Sequence, residues 1–353
     1  MTLRLAGLFL LGCVASFPGY VSALDYFVSP RGDDGSPGNR RSEPFRTLQH
    51  ALDIAKPGDR IMLAAGEYWE DVRSVRSGKA GAPIQIVGVE GATIKGAGKG
   101  RVMELNHSYI SLTNLTFDGR VPPGKRVQDY RDKLLYIMGK NRDGVTGIKI
   151  TDVVFQNAGG ECLRLKYFSH HNEIAHSRFN NCGVWDFRFK DGGKNGEAIY
   201  IGTAPEQLKR NPSRHPDASN NNWIHHNYFD TRGNECVDIK EGASHNLVEH
   251  NECTGQRDKN SAGMDSRGSR NIFRYNLIRD NAGAGIRLGG DTAKDGIYNE
   301  VYGNTLQDNK RGGLKIMATP QSALCGNTVR PADKKMVQGK HAKGVDPRQP
   351  CSG

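Results

Sequence analysis

The phrase Asn-x-apolar-x-x-Asn recurs down the second half of this chain at nearly constant spacing. It reads Asn222-Trp-Ile-His-His-Asn227, Asn246-Leu-Val-Glu-His-Asn251, Asn271-Ile-Phe-Arg-Tyr-Asn276 and Asn299-Glu-Val-Tyr-Gly-Asn304, with a degenerate copy at Ala323-Leu-Cys-Gly-Asn327. The closing asparagines are 24, 25, 28 and 23 residues apart. A period in this range marks a solenoid or a propeller. Each repeat holds short β-branched runs and Gly/Asn turns without a helical pattern, so each is expected to form one coil of a right-handed parallel β-helix, an all-β solenoid. Equivalent residues of successive coils then stack ~4.8 Å apart, and the sequence can be read as columns on a surface.

The first 23 residues read as a secretory signal. Arg4 is the charged region, Leu5 to Val14 the apolar core and Val21-Ser22-Ala23 a small-x-small cleavage site. A lipoprotein reading through Leu10-Leu11-Gly12-Cys13 is the alternative. The apolar stretch is too short to span a bilayer comfortably, and no later segment is longer. The chain is therefore expected to be secreted or periplasmic, without a membrane span, and monomeric. Its formal charge is +11, of which Arg4 supplies one unit. A basic balance implies an acidic partner. Export favours an acidic polysaccharide over nucleic acid. Besides Cys13 there are six cysteines, an even number that permits disulfides in an exported chain. The absence of Cys-x-x-Cys argues against a zinc site. Cys162 and Cys236 fall two coils apart in one column, too far to bond, and Cys325–Cys351 is the pairing expected.

Residues 24–330 are expected to form the solenoid, opening with a unit at 24–75. Within it, Thr47 to Ala55 carries Leu48, Ala51, Leu52 and Ala55 on one helical face. The open end of a β-helix exposes core and unpaired backbone, and this short helix suits the task of capping it. Insertions at roughly 118–135 and 203–221 interrupt the rhythm, and long loops on a solenoid usually carry function. The basic segment 331–353 reads as a tail, either a loose cap or disordered.

A second phrase fixes the columns. Gly160-Glu-Cys-Leu-Arg-Leu-Lys166 aligns with Gly196-Glu-Ala-Ile-Tyr-Ile-Gly202, Asn234-Glu-Cys-Val-Asp-Ile-Lys240, Ser261-Ala-Gly-Met-Asp-Ser-Arg267, Gly283-Ala-Gly-Ile-Arg-Leu-Gly289 and Arg311-Gly-Gly-Leu-Lys-Ile-Met317. Leu163, Ile199, Val237, Met264, Ile286 and Leu314 form an inward column, so the residues one and three places later point outward. One outward column is Arg164, Tyr200, Asp238, Asp265, Arg287 and Lys315. Another is Lys166, Gly202, Lys240, Arg267 and Gly289. Glu161, Glu197 and Glu235 stack at the turn entering the strand.

Stacked carboxylates ~5 Å apart repel by roughly 1–4 kcal/mol per pair. A hard cation such as Ca²⁺, held by Glu197 and Glu235 with Asp238 or Asp265, would offset this. Cross-pairing with Lys and Arg in a plain salt-bridge lattice would do so as well. The chemistry such a set supports is β-elimination on a uronic-acid polymer. A base takes the weakly acidic C5 proton while a metal or arginine neutralises the neighbouring carboxylate. Lys240 is the candidate base, with Arg267 beside it to depress its pKa. Tyr200, Arg164 and Arg287 are candidate substrate contacts, and Tyr200 is a candidate acid. The pairs His170-His171 and His225-His226 read as turn or surface residues, and the repeated asparagines as a stacked ladder.

At these residues the chain resembles the chondroitinase B-like polysaccharide lyases, which are right-handed parallel β-helices. The resemblance implies calcium, a lysine base and an arginine. The family's calcium-binding glutamate precedes its lysine by five places, as Glu235 precedes Lys240, and its arginine follows on the next coil, as Arg267 does. Its further carboxylate would fall on Gly233. The opening unit (Tyr26-Phe-Val-Ser-Pro, Pro44-Phe-Arg-Thr-Leu-Gln, Pro57-Gly-Asp-Arg-Ile) is also similar to that of pectate lyases of the related calcium-and-lysine type. A C5-epimerase and a non-catalytic carbohydrate-binding solenoid remain as alternatives, because a fold does not imply catalysis.

Overall fold

A computed structural model describes residues 23–192, 196–331 and 336–351. The segment read as a secretory signal therefore lies, apart from Ala23, outside the described residues. The chain winds as a parallel β-helix with three long sheets, of eleven, ten and ten strands among the described residues. Each coil passes through the three in a fixed order. Val237–Ile239 lies in what is here termed the site sheet, Leu247–Glu249 in the eleven-stranded first sheet and Glu252–Thr254 in the third. The next coil returns to the site sheet at Ala262–Ser266.

Strands this short hold because identical neighbours stack. Phe117, Phe155, Phe179 and Phe229 form an inward pile with ring centroids 5.1, 4.9 and 4.8 Å apart. Leu163, Ile199, Val237, Met264, Ile286 and Leu314 are consecutive register partners in the site sheet, as the alignment predicted. The asparagines form two ladders at the turns. Asn227, Asn251, Asn276 and Asn304 each donate from Nδ2 to the Oδ1 of the next, ending on Asn327, at 2.9–3.0 Å. Asn172, Asn222 and Asn246 do the same toward Asn271. Each Oδ1 also accepts a backbone N–H, so turn donors that a coil cannot satisfy internally are met by its neighbour. The residue before the Asn adopts left-handed backbone, as at His226, His250 and Tyr275. A tight turn between two sheets needs that conformation.

The helix expected at the open end spans Leu48–Ile54, with Thr47 capping it and Leu48, Ala51 and Leu52 buried. The Glu70 carboxylate accepts from the N–H groups of Leu48 and Gln49 at 2.8 and 2.9 Å, satisfying further free donors of its first turn. At the other end Val337–Gln338, inside the segment read as a tail, pairs with Leu314–Ile316. Cys325–Cys351 is bonded, as expected. Cys162 pairs with Cys182 and Cys236 with Cys253, so each clips the start of a site-sheet strand to the end of its own coil.

Candidate functional site

The outward column forms in the predicted register. Arg164, Tyr200, Asp238, Asp265, Arg287 and Lys315 are successive partners, and Tyr136 precedes them. The alternation that sinks Val237 and Ile239 into the core turns Asp238 away from it. Yet the outward residues are not solvated. Asp238, Asp265, Tyr200, Glu197, Glu235 and Lys240 are all buried. Charges taken this far out of water need partners, and the partners divide the site.

Glu197, Glu235 and Asp238 each offer a carboxylate oxygen, and these oxygens lie within 4.8 Å of one another. Neither Glu197 nor Glu235 has a basic partner at ion-pair distance among the described residues. Glu197 Oε2 and Asp238 Oδ1 are buried without a hydrogen-bond partner there. Ser261 Oγ donates to Glu235 Oε1. Burial, then repulsion from Asp238, pushes Glu197 far above the usual carboxylate range, with Glu235 adding to it. Burial, then repulsion from Asp238 and Asp265, pushes Glu235 up to about 8. Three clustered carboxylates, two of them with an orphaned oxygen, form the hard, all-oxygen donor set that suits Ca²⁺. Position 233 cannot supply a further carboxylate. A Cβ there would meet the Cys182 carbonyl oxygen at 2.1 Å, and the third carboxylate of the group is Asp238 on the strand. Asp265 stands apart from this group. Arg287 Nη1 donates to both its oxygens, at 3.0 and 2.7 Å.

Lys240 Nζ lies 2.6 Å from Asp238 Oδ2 and 4.7 Å from the centre of the Tyr200 ring. Arg267 follows on the next coil, where its backbone N–H donates to Ile239 O at 2.8 Å. Its side chain reaches Asp291 at 2.8 Å, Glu241 at 3.6 Å and Asp265 at 3.7 Å. The expectation that Arg267 leaves Lys240 neutral is corrected here. Burial is the largest single influence and lowers the Lys240 pKa, but Asp238, Tyr200 and Glu197 together outweigh it and hold the ammonium well above its ordinary value, while the opposing push from Arg267 is minor.

Two coils earlier the same columns carry a different arrangement. Glu161 is engaged by Arg164 at 2.7 Å and by Lys133 at 2.9 Å. The Arg164 guanidinium lies 3.9 Å over the Tyr200 ring, and Arg101 3.7 Å over Tyr136. Burial and the Arg164 charge push Lys166 down to about 8. With Glu206, Gln207, Lys209 and Arg210, these residues other than Tyr200 line a basic cavity of about 660 Å³. Pro205–Arg210 is a 3₁₀ turn of the second insertion. The buried Asp217 carboxylate pins that insertion by accepting from the Tyr167 and Phe168 N–H groups at 2.7 and 2.8 Å. Arg101, Lys133, Tyr136, Lys209 and Arg210 were missed in the sequence. The early coils lack the asparagine phrase that would have aligned them, and the only signal for Lys209 and Arg210 was the insertion itself.

The profile of the family described as right handed beta helix region matches residues 136–330. The chain belongs to this family. Among right-handed β-helix proteins of known structure, it is similar to an alginate lyase from Paenibacillus sp. str. FPU-7, with TM-score 0.68 and 23% identity over 83% of this chain and 95% of that one. It is also similar to a mannuronic acid specific polysaccharide family 6 lyase from human gut microbiota, with TM-score 0.60 and 18% identity over 89% of this chain and 67% of that one. At such identities the likeness is one of fold. A 71-residue stretch is 38% identical to the uncharacterized protein YwoF of Bacillus subtilis (strain 168); it spans 20% of this chain and 15% of that relative's length. Among the described residues no helix is long and apolar enough to cross a membrane.

Proposed function

We propose that this β-helix protein is an exported polysaccharide lyase that cleaves an acidic, uronic-acid-containing polymer by β-elimination. The observation that carries the reading is the buried group of Glu197, Glu235 and Asp238, with carboxylate oxygens within 4.8 Å of one another, beside Lys240 and one coil from Arg267. These three would hold Ca²⁺, with Asp265 outside the group. Bound there, calcium would neutralise the uronate carboxylate and offset the charge of Asp238. Lys240 takes the C5 proton as the C4–O bond breaks and the C4–C5 double bond forms. Arg267 faces the sugar carboxylate and stabilises the charge that develops on it. Tyr200 keeps its proton at working pH, because burial pushes its pKa up, and supplies it to the departing oxygen. Arg164 and Arg287 flank this centre along the same column and would contact neighbouring sugar carboxylates.

The pairing of Lys240 with Asp238 favours a second reading, a carbohydrate-binding site without catalysis, because a protonated lysine is no base. A screen of alginate, pectate, glucuronan and chondroitin with chelator-stripped protein, with and without added calcium, separates the two. A calcium-dependent rise in the ultraviolet absorbance of unsaturated uronate is the expected result. Binding to a polymer without that rise excludes elimination and leaves the second reading or C5-epimerisation.

A further inference from the structure

The corner between the first and third sheets, which each coil reaches after leaving the site sheet, carries a histidine group unrelated to the carboxylates. Strand Trp223–His225 ends in His225, and His226 follows in left-handed backbone, φ 53°. That kink cancels the usual strand alternation, so two successive rings meet with Nδ1 atoms 2.9 Å apart. His176 holds the equivalent left-handed position one coil earlier, φ 50°, and its ring stacks on His226 with centroids 5.1 Å apart. One nitrogen from each of the three lies within 4.8 Å of the others.

We propose that His176, His225 and His226 bind a divalent transition-metal ion of the imidazole-preferring class, nickel, copper or zinc, and thereby staple two adjacent coils. Two nitrogens each about 2.0–2.1 Å from one ion lie about 2.9 Å apart at the right angle that nickel and copper prefer, which is the separation of the two Nδ1 atoms, and about 3.3 Å apart at the tetrahedral angle of zinc, which the exposed His226 ring would open to reach. The ring of His225 is already oriented. Its Nε2 lies 3.4 Å from Glu173 Oε1, and Lys149 fixes the other carboxylate oxygen at 3.1 Å. A carboxylate on the far ring nitrogen is the usual outer partner of a metal-bound histidine, and it directs the Nδ1 lone pair inward. The Trp223 indole stacks on the same ring at 3.8 Å and is itself anchored on Glu249 at 2.8 Å. His176 and His226 are exposed, so they can close on an ion without disturbing the core. The pair His170 and His171 has a similar Nδ1 separation, 2.8 Å, but no third ligand joins it among the described residues. Calcium, which prefers oxygen, has no claim on an all-imidazole site.

The test uses the untagged full chain after chelation, titrated with zinc chloride and with nickel chloride by calorimetry and equilibrium dialysis. One ion per chain and a raised melting temperature are expected, with excess calcium not competing. His226→Gln and His176→Ala should each weaken binding at least tenfold. Glu173→Gln should weaken it about tenfold to a hundredfold by loosening His225. Glu235→Gln should leave it unchanged. The two exposed histidine variants should melt like the parent without metal, which separates lost binding from lost folding. Absence of binding, binding that survives the His176/His226 double variant, or binding lost in Glu235→Gln overturns the proposal.

Discussion

Glu161 and Glu235 occupy the same position on coils two apart, and so do Lys166 and Lys240, yet each pair exists in opposite states. Glu161 is closed in by Arg164 and Lys133, whereas Glu235 faces Glu197 and Asp238 and is pushed up to about 8. Lys166 has no ion partner among the described residues and is pushed down to about 8; Lys240 is tied to Asp238 and held above its ordinary value. A single column sets the difference. It carries Arg164 on the early coil and Asp238 on the later one. Where the neighbour is arginine, the glutamate is neutralised and the lysine loosened. Where it is aspartate, the lysine is held and the carboxylates are left in want of a cation. The repeat supplies positions, and the neighbouring column decides the charge that each position can keep.

The comparison can be broken most sharply by activity. Lys240→Ala and Arg267→Ala should each lower the elimination rate on the best polymer by about 10²–10⁴, read from initial rates in protein that melts like the parent. If either variant stays within about tenfold of the parent, the later centre is not the catalytic one.

Stability gives the next contrast. Glu161→Ala leaves buried Arg164 without its carboxylate and half-buried Lys133 with Asp132 alone, and should cost about 3–5 kcal/mol by urea denaturation. Glu235→Gln removes repulsion instead. The calcium-free protein should be no less stable for it, while the rise in melting temperature on adding calcium, expected for the parent from mass action, should vanish. Equal destabilisation by the two substitutions would erase the distinction.

A pH series sharpens it further. Glu235 titrates near 8 in the folded chain against an ordinary 4.5, so the folded state keeps a proton that the unfolded state has lost. That contribution is full below about pH 4.5 and disappears as pH rises through 8. Chelator-stripped protein should therefore lose melting temperature across this window relative to Glu235→Gln, and calcium should flatten the difference. The smallest effect is expected at Lys166. Lys166→Ala should reduce elimination less than tenfold, chiefly through KM, because the basic cavity would contact the polymer away from the reacting bond. A loss matching that of Lys240→Ala would move the chemistry to the earlier coils.

Much of this was legible in the sequence because a parallel solenoid turns spacing into register. The order Arg164, Tyr200, Asp238, Asp265, Arg287 came from alternation and repeat length alone and holds pair by pair in the site sheet. The asparagine ladders were readable for the same reason; the Cys325–Cys351 bond was expected only as a tie for the tail, and it forms. Partner choice was not. Register puts Asp238 and Asp265 side by side, but not that Lys240 takes the first while Arg287 takes the second. Nor does alternation reveal that an outward residue is closed off from water. Cys182 and Cys253 sit at the far ends of their coils, outside the aligned phrase, so their bonds to Cys162 and Cys236 could not be read from columns.

The asparagine ladders have a consequence for how the chain finds a single arrangement. Every rung is chemically alike, so a coil that skipped its neighbour and stacked on the next would recover the same amide contacts and much of the same apolar pile. Such a slipped stack would be a near-degenerate competitor, the kind of trap that a repetitive sequence invites. The charged columns distinguish the coils. Skipping one would bring Arg164 beside Asp238 and bury Tyr200 against nothing in register, and Glu161 would lose the arginine of its own coil to a rival. The ladder binds any coil that carries it to any other such coil, and the unequal charges on the site sheet label the order in which those coils belong.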